Sequence, residues 1–229
     1  MDKQKIKIAI IDDDEYVIIA IKAILQEKMP NMTDISYTCN SPQEFIKYCN
    51  SNNPKFDILL VDMYFGGSDT EGLKVLKYIK DTNKAYKPIV ITSREFDKDT
   101  VKEAEKIGAK CYFPKNLMTN LLADVIKIVY AGIKVDDNLI NYWVHYHQLT
   151  KTEKEVFEYF AIGKTPSEIA DIISKDRDRL DVMKLNTIER HLSEIRKKMN
   201  LQIDTLATVI AIKLKIQKVL DELGVKPIL

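Results

Sequence analysis

The sequence contains few of the residues that build disulfide frameworks and metal–thiolate sites. Its 229 residues include 3 cysteines and 3 histidines, and Cys39, Cys49 and Cys111 belong to no cluster of Cys and His residues. An odd and sparse cysteine count is typical of reduced thiols in a cytoplasmic protein. This pattern excludes a disulfide frame and a structural zinc site.

Glycine and proline are also scarce, with 7 of each, which indicates much helix and few long loops. The chain has 35 basic and 34 acidic residues, so no strong overall charge attracts nucleic acid or a membrane. No apolar run reaches the ~18 residues of a membrane span, and the N-terminus does not resemble a signal peptide. We therefore expect a globular cytoplasmic protein of one or two domains.

The first half alternates short apolar runs with segments of helical period. The runs are rich in β-branched residues and lack polar alternation, as in strands buried on both faces. They span 6–11, 35–39, 56–61, 89–92 and 111–114. Strands that alternate with helices predict an α/β fold, a doubly wound five-stranded parallel sheet covered on both faces.

The last third shows helix starts but no strand pattern. Capping boxes begin at Thr150 and Thr165, and Asn186 and Asp204 are expected to cap two further helices. This spacing predicts a small all-α domain of four helices.

Acidic residues stand at the ends of two predicted strands. Asp12 and Asp13 follow the first strand, and Asp62 follows the third. The carboxyl ends of parallel strands meet at one edge of the sheet, so these carboxylates are expected to converge. Because clustered carboxylates repel one another, the arrangement predicts a hard cation with oxygen ligands, Mg²⁺ before Ca²⁺.

Two more strand ends add a hydroxyl and an ammonium group. The fourth strand ends at Thr92 and the fifth ends just before Lys115. Carboxylates, a hydroxyl, a lysine and a metal together suit a transient phosphoryl group on an aspartate, because Asp can act as a nucleophile while the cations neutralise the phosphoryl charge.

These residues resemble the receiver domain of bacterial response regulators, over residues 1 to about 130. The resemblance implies a flavodoxin-like fold, with Asp62 as the phospho-acceptor and Mg²⁺ as the cofactor. It further implies that Asp12, Asp13, Asp62 and the backbone carbonyl of Tyr64 bind the metal, that Thr92 and Lys115 contact the phosphate, and that Tyr112 is the switch aromatic. The loop after Asp62 departs from the family because it is longer and carries Gly66 in place of proline.

The C-terminal third is similar to the LuxR-type helix-turn-helix domain. The similar stretches are Leu149–Val156, Ile162–Ala170 and Thr187–Met199. A receiver followed by this domain is typical of the NarL/FixJ family of response regulators. The implied division is a receiver at 1–130, a linker at 131–147 and a DNA-binding domain at 148–229.

The third helix of this domain carries basic residues beside an apolar stripe, as a helix that enters the major groove would. The predicted DNA-binding residues are Thr187, Glu189, Arg190, Arg196, Lys197 and Lys198. Residues 146–229 contain 15 basic and 13 acidic residues, so one copy has too little charge to bind DNA strongly. A dimer would help, and by family analogy its helix carries Leu206, Val209, Ile210 and Leu214; this stripe could instead, or also, form the domain core.

The resemblance implies a two-component response regulator that is not an enzyme with a turnover substrate. Phosphorylation by a histidine kinase or small phosphodonor would control dimerisation and sequence-specific DNA binding. The implied partners are the cognate sensor histidine kinase, double-stranded DNA, a second copy and RNA polymerase, with no membrane. An alternative is a phosphorelay or interaction module whose output domain binds a protein, since the turn at 174–184 is long and Glu189 stands where the family has lysine.

Overall fold

The structure is a computed structural model that describes residues 5–68, 70–93, 98–132, 135, 145–146, 148–176 and 184–199. The chain divides into two compact units, residues 1–137 and residues 138–229. No helix in the described part of the chain is long and apolar enough to cross a membrane.

The first unit is built on five parallel strands, as the sequence predicts. They are β1 (Ile6–Ile11), β2 (Thr33–Cys39), β3 (Ile58–Asp62), β4 (Lys87–Thr92) and β5 (Cys111–Pro114). Their order in the sheet is β2-β1-β3-β4-β5. The apolar side chains of β3 are buried at every position, because helices cover both faces of the sheet.

The helices between and after the strands are α1 (Glu15–Lys28), α2 (Pro42–Asn52), α3 (Gly72–Asp81), α4 (Lys98–Ile107) and α5 (Met118–Tyr130). A single 3₁₀ turn covers Lys115–Leu117. Asp14 and Ser41 cap α1 and α2 by accepting from the backbone N–H groups of Tyr16 and Glu44. Both helices therefore begin at a side-chain cap.

The C-terminal end of α5 is fixed to the sheet by a lysine from β4. The ammonium group of Lys87 donates to the carbonyl of Tyr130 at 2.7 Å and lies 5.2 Å from the centre of the Tyr130 ring. Beyond the helix, Val135 is buried, and its N–H donates to the carbonyl of Lys110. These contacts lie at the amino ends of β4 and β5, opposite the strand ends where the acidic residues stand.

In the second unit the structure describes three longer helices, α6 (Lys151–Ala161), α7 (Pro166–Asp176) and α8 (Leu185–Met199). Both predicted capping boxes form, at Thr150 with Glu153 and at Thr165 with Glu168. The helices enclose an apolar core in which Phe157 is almost fully buried.

The start predicted for the third of these helices is wrong. Asn186 was expected to cap it, but α8 begins at Leu185, so Asn186 already lies within the helix. The carbonyl of Lys184 accepts from the N–H of Ile188, so the first hydrogen-bonded turn of the helix begins at Lys184, one residue before Leu185. The helix predicted after Asp204, with Leu206, Val209, Ile210 and Leu214, lies outside the described residues, as do residues 177–183 of the long turn.

Candidate phosphoryl-transfer site and DNA interface

Three carboxylates meet at the carboxyl edge of the sheet. Asp12 and Asp13 follow β1, and Asp62 ends β3, which pairs directly with β1. One carboxylate oxygen from each lies within 4.8 Å of the others. Asp12 and Asp62 are buried, with 0% and 4% of their surface exposed, whereas Asp13 is exposed. The convergence predicted from the strand ends is therefore found in the structure.

Lys115 lies between the two buried carboxylates. Its Nζ atom is 2.8 Å from Asp62 Oδ2 and 2.8 Å from Asp12 Oδ2. The contact with Asp62 is a well-formed hydrogen bond, whereas Asp12 Oδ2 accepts no well-aligned hydrogen bond and has an ion pair only. The other oxygen of Asp62 accepts from the backbone N–H of Tyr64 at 3.2 Å.

Burial and the contacts among the three groups together set the pKa values of Asp12, Asp62 and Lys115. Burial, together with the charge of Asp62, raises the pKa of Asp12 to about 6, against the opposing effect of Lys115. Burial also raises the pKa of Asp62. Burial lowers the pKa of the Lys115 ammonium, but its contacts with Asp12 and Asp62 outweigh this effect, and the pKa is raised. The lysine is therefore charged at neutral pH, but one ammonium opposes three carboxylates.

The donor set fits a divalent cation. Its atoms are carboxylate oxygens, which Mg²⁺ prefers, and Asp12 Oδ2 is buried with one ammonium beside it among the residues that the structure describes. Burial raises the pKa of Asp12, which means that its ionised form is unfavourable in this pocket and would gain from a nearby cation. Asp12, Asp13 and Asp62 are the residues that would hold such an ion.

The remaining predicted residues of the pocket lie on β4 and β5. Thr92 ends β4 and is buried beside β3, since Ile91 pairs with Asp62 across the two strands. Tyr112 lies on β5, and its ring is buried in an apolar cluster that includes Val90 and Ala104. The structure thus brings the hydroxyl, the aromatic ring and the carboxylates to neighbouring strands.

A backbone contact in the pocket was missed by sequence reasoning. The N–H of Gly66 donates to Asp13 Oδ2 at 3.2 Å, so the loop after β3 reaches the acidic pair. The Gly66-Gly67 dipeptide is a turn signal that predicts a hairpin there, but a dipeptide does not reveal which residue its N–H groups face.

In the second unit, α8 separates an apolar face from a polar one. Ile188, Leu192, Ile195 and Met199 are buried in the core of the unit. Glu189, Arg190, Arg196 and Lys197 are exposed, and Thr187 is half-buried. Glu189 and Arg196 are seven residues apart, as are Arg190 and Lys197, which is about two helical turns, so the four residues form one solvent-facing stripe along the helix.

Lys198 has a partner that was not predicted. Its ammonium group donates to both carboxylate oxygens of Glu153, at 2.7 and 2.8 Å. Glu153 is only 4% exposed and also accepts from the N–H of Thr150, so one carboxylate caps α6 and ties it to α8. Burial raises the pKa of Glu153, but the bonds from Lys198 and Thr150 outweigh it and lower the pKa. The contact of Lys198 with DNA stays a prediction.

Two family models match this chain. The model of the response regulator receiver domain matches residues 8–127, which is more than half of the chain. The chain belongs to the response regulator family. Behind the receiver, the model of the luxR family of bacterial regulatory proteins matches residues 147–211. The two matches together identify a two-component transcriptional response regulator of the NarL/FixJ type, as the sequence predicts.

Curated relatives of this response regulator share low identity over most of its length. The transcriptional regulatory protein DesR of Bacillus subtilis (strain 168) is 24% identical over 199 residues, covering 86% of this chain and 92% of DesR. The two-component response regulator-like protein APRR1 of Arabidopsis thaliana is 23% identical over 204 residues and 84% of this chain. The match spans 29% of the length of that plant relative.

Solved structures share the fold of this response regulator. RcsB of Salmonella typhimurium is 18% identical with a TM-score of 0.52, and the match covers 92% of this chain and 99% of RcsB. A complex of RcsB with DNA has the same identity and TM-score, with 91% and 98% covered. At this identity the likeness shows a common fold alone.

Proposed function

We propose that Asp62 accepts a phosphoryl group from a histidine kinase or a small phosphodonor, with Mg²⁺ bound by Asp12, Asp13, Asp62 and the carbonyl of Tyr64. The observation that carries the proposal is the position of Lys115, whose ammonium is 2.8 Å from both buried carboxylates. A cation of this kind beside a buried nucleophile is what an acyl phosphate requires, because the phosphoryl group brings about two negative charges.

Each residue of the pocket has a separate role in the proposed phosphoryl transfer. An oxygen of Asp62 attacks phosphorus, the bond from phosphorus to the donor breaks, and the donor leaves with that bonding pair. Lys115 neutralises charge on the transferred phosphoryl group, and the hydroxyl of Thr92 donates a hydrogen bond to it. A bound divalent cation supplies further electrostatic stabilisation of the phosphoryl oxygens.

The transfer is coupled to the fold through Thr92 and Tyr112. When Thr92 turns toward the phosphoryl group, it vacates space next to β5, and the Tyr112 ring can move into it. This movement alters the surface around α4 and β5, and a change there shifts the equilibrium between monomer and dimer. We propose that the phosphorylated form favours a different dimer state from the unmodified one.

The phosphorylation step is tested with acetyl phosphate and Mg²⁺ on the full chain. Intact-mass measurement should show one added phosphoryl group, and Asp62→Asn should abolish it. Asp57→Asn is the matched control, because Asp57 precedes the same strand at its opposite end and accepts from the Lys7 N–H at 2.8 Å. Equal labelling of the Asp62→Asn variant would refute Asp62 as the acceptor.

The exposed stripe of α8 is proposed as the surface that reads DNA. Glu189 and Arg190 lie in its first half, where a recognition helix meets base edges, and Arg196 and Lys197 lie near its end, where phosphates are reached. Lys197 is paired with Glu194 at 2.9 Å, but both side chains are exposed and such a pair is weak. Thr187 and Lys198 complete the proposed DNA-binding set.

The DNA interface is tested by fluorescence anisotropy with a pool of host promoter fragments at two salt concentrations. Arg190→Ala should weaken binding about tenfold or more. Arg190→Lys distinguishes a phosphate contact of Arg190 from a base contact, because lysine can replace a phosphate contact but not a bidentate contact to guanine. Lys47→Ala, an exposed lysine on α2, is the control with the same charge change.

The binding data also separate the alternative function. Salt-dependent binding that changes with beryllofluoride, and no longer responds to it in Asp62→Asn, supports phosphorylation-controlled transcription. Absence of DNA binding in both states, with a retained change in oligomer size, would favour an output domain that binds a protein.

For the transcriptional function, the proposed partners are a sensor histidine kinase, a second copy of the chain, DNA and RNA polymerase, and the proposed location is the cytoplasm.

A further inference from the structure

The loop between β3 and α3 contains a tight turn beside the acidic cluster. Phe65 and Ser68 pair across it: the Phe65 N–H donates to the Ser68 carbonyl at 3.2 Å and the Ser68 N–H donates to the Phe65 carbonyl at 2.9 Å. Gly66 and Gly67 form the corner, with φ of 55° and 92°. Positive φ at both central positions is typical of the type I′ hairpin turn, for which glycine and asparagine are suited.

The turn is anchored at its base. Phe65 is 6% exposed and packs in the same apolar cluster as Ile11 and Val61, the residues that precede the acidic strand ends. After the turn, the Gly72 N–H donates to the Met63 carbonyl at 3.2 Å, which closes the loop. The turn is therefore fixed to the two strands that carry Asp12 and Asp62.

From this position the backbone of Gly66 binds Asp13, the exposed carboxylate of the cluster. Its N–H donates to Asp13 Oδ2 at 3.2 Å. Asp13 stands beside the two buried carboxylates, and repulsion between like charges favours its rotation toward water. A charge-assisted hydrogen bond from a fixed backbone N–H opposes that rotation and leaves the other oxygen of Asp13 for a further ligand.

We infer that the Phe65–Ser68 turn is a positioning element of the cation site, in which the Gly66 N–H orients Asp13 as the third carboxylate and so raises the affinity for a divalent cation. The inference rests on the proposed function, which gives the pocket its cation. Gly66 acts through Asp13 and is a positioning residue. It is also the residue at which this loop departs from the proline of the family.

The test compares two substitutions at one position. An added Cβ at Gly66 would meet no atom within 4 Å, so the Cβ atom of either substitution has room. Asparagine tolerates positive φ and keeps the turn, whereas β-branched valine does not. Mg²⁺ binding to the full chain is measured by isothermal titration calorimetry. Gly66→Val should weaken Mg²⁺ binding roughly three- to tenfold, as expected for loss of one hydrogen bond. The conservative Gly66→Asn should bind Mg²⁺ as tightly as the unsubstituted chain.

Two controls separate positioning from general strain. Gly132→Val introduces valine at another positive-φ glycine, with φ of 79° and no atom within 4 Å of the added Cβ, and should leave the Mg²⁺ affinity unchanged. In an Asp13→Asn background, Gly66→Val should have no further effect, because its route to the cation has been removed.

The outcomes are distinguishable. If the unsubstituted chain binds Mg²⁺ and Gly66→Val binds it equally well, the inference is overturned and the proposed function stands. A valine effect of the same size in the Asp13→Asn background also overturns it, because the loop would then act by another route. If the unsubstituted chain binds no Mg²⁺, the proposed cation chemistry and the inference fail together.

Discussion

Replacing Asp12 with asparagine should stabilise the first unit when no divalent cation is present. Asp12 is fully buried and faces Asp62, and burial followed by that charge raises its pKa from the usual 3.8 to about 6. Unfolding returns the carboxylate to water, where its charge is well solvated. At neutral pH the folded state therefore holds a charge that the unfolded state accommodates more easily.

The sign and size follow from proton binding. Between about pH 4 and pH 6 the folded state binds more protons than the unfolded state, so the stability present below pH 4 is lost as the pH rises to 6. A difference of about two pKa units at about 1.4 kcal/mol each gives roughly 3 kcal/mol. Asparagine also removes one of the two anionic partners of Lys115. We therefore expect a net gain of about 1–2 kcal/mol at pH 7.

Hydrogen exchange of peptides from the sheet, followed across a urea series with chelator present, gives the unfolding free energy of this unit alone. At pH 7 the unfolding free energy of Asp12→Asn should exceed that of the unsubstituted chain. The difference between the two free energies should become smaller near pH 4.5. Asp81→Asn, on the exposed end of α3, is the matched control and should change little. A less stable Asp12→Asn variant at pH 7 would refute the reasoning, because it would show that Lys115 already compensates the charge.

Three further substitutions test packing, ion-pair and helix-capping contacts within the two units. Gly72→Ala should destabilise the receiver by about 2–4 kcal/mol in thermal unfolding, because its Cβ would lie 2.2 Å from a carbonyl oxygen of β3; a neutral effect would contradict the close approach. Lys198→Met should lower the unfolding free energy of the second unit, measured by hydrogen exchange, by about 2 kcal/mol, because Glu153 stays buried without its cation. Adding Glu153→Gln to the same chain should recover part of this unfolding free energy. Lys87→Met should speed exchange at the C-terminal end of α5 by about fivefold, the result of losing about 1 kcal/mol of capping, while exchange in β1 stays unchanged.

The parallel sheet could be predicted because its strands are buried on both faces and read as bare apolar runs. The run over residues 111–114 coincides with β5. The strand β2 is harder to predict, since it begins at Thr33 and alternates exposed and partly buried residues before its apolar end. Periodicity finds a strand that is buried on both faces more readily than one that is half exposed, because only the buried strand excludes polar residues from both faces.

The convergence of Asp12 and Asp62 could be predicted for a topological reason: parallel strands present their carboxyl ends on one edge. The contacts of Gly66 and Lys198 could not, because each joins segments far apart in the sequence. Asp13 and Gly66 are 53 residues apart, and Glu153 and Lys198 are 45 apart. Glu153 shows the limit well: its spacing from Thr150 predicts a cap, and nothing local predicts that the same carboxylate binds a lysine on α8.

The charges of the pocket explain why a cation and a phosphoryl group belong together there. Among the described residues, three carboxylates oppose one ammonium, and a divalent cation would bring the sum of these charges near zero. Transfer of a phosphoryl group to Asp62 would then add about one further negative charge, since the acyl phosphate replaces a carboxylate that already carried one. Lys115 is shared between two carboxylates in this structure, so that new charge competes for its ammonium. A cation bound at Asp12 would release Lys115 for the phosphoryl group, so under the proposed function we expect the phosphorylated state to depend on the cation.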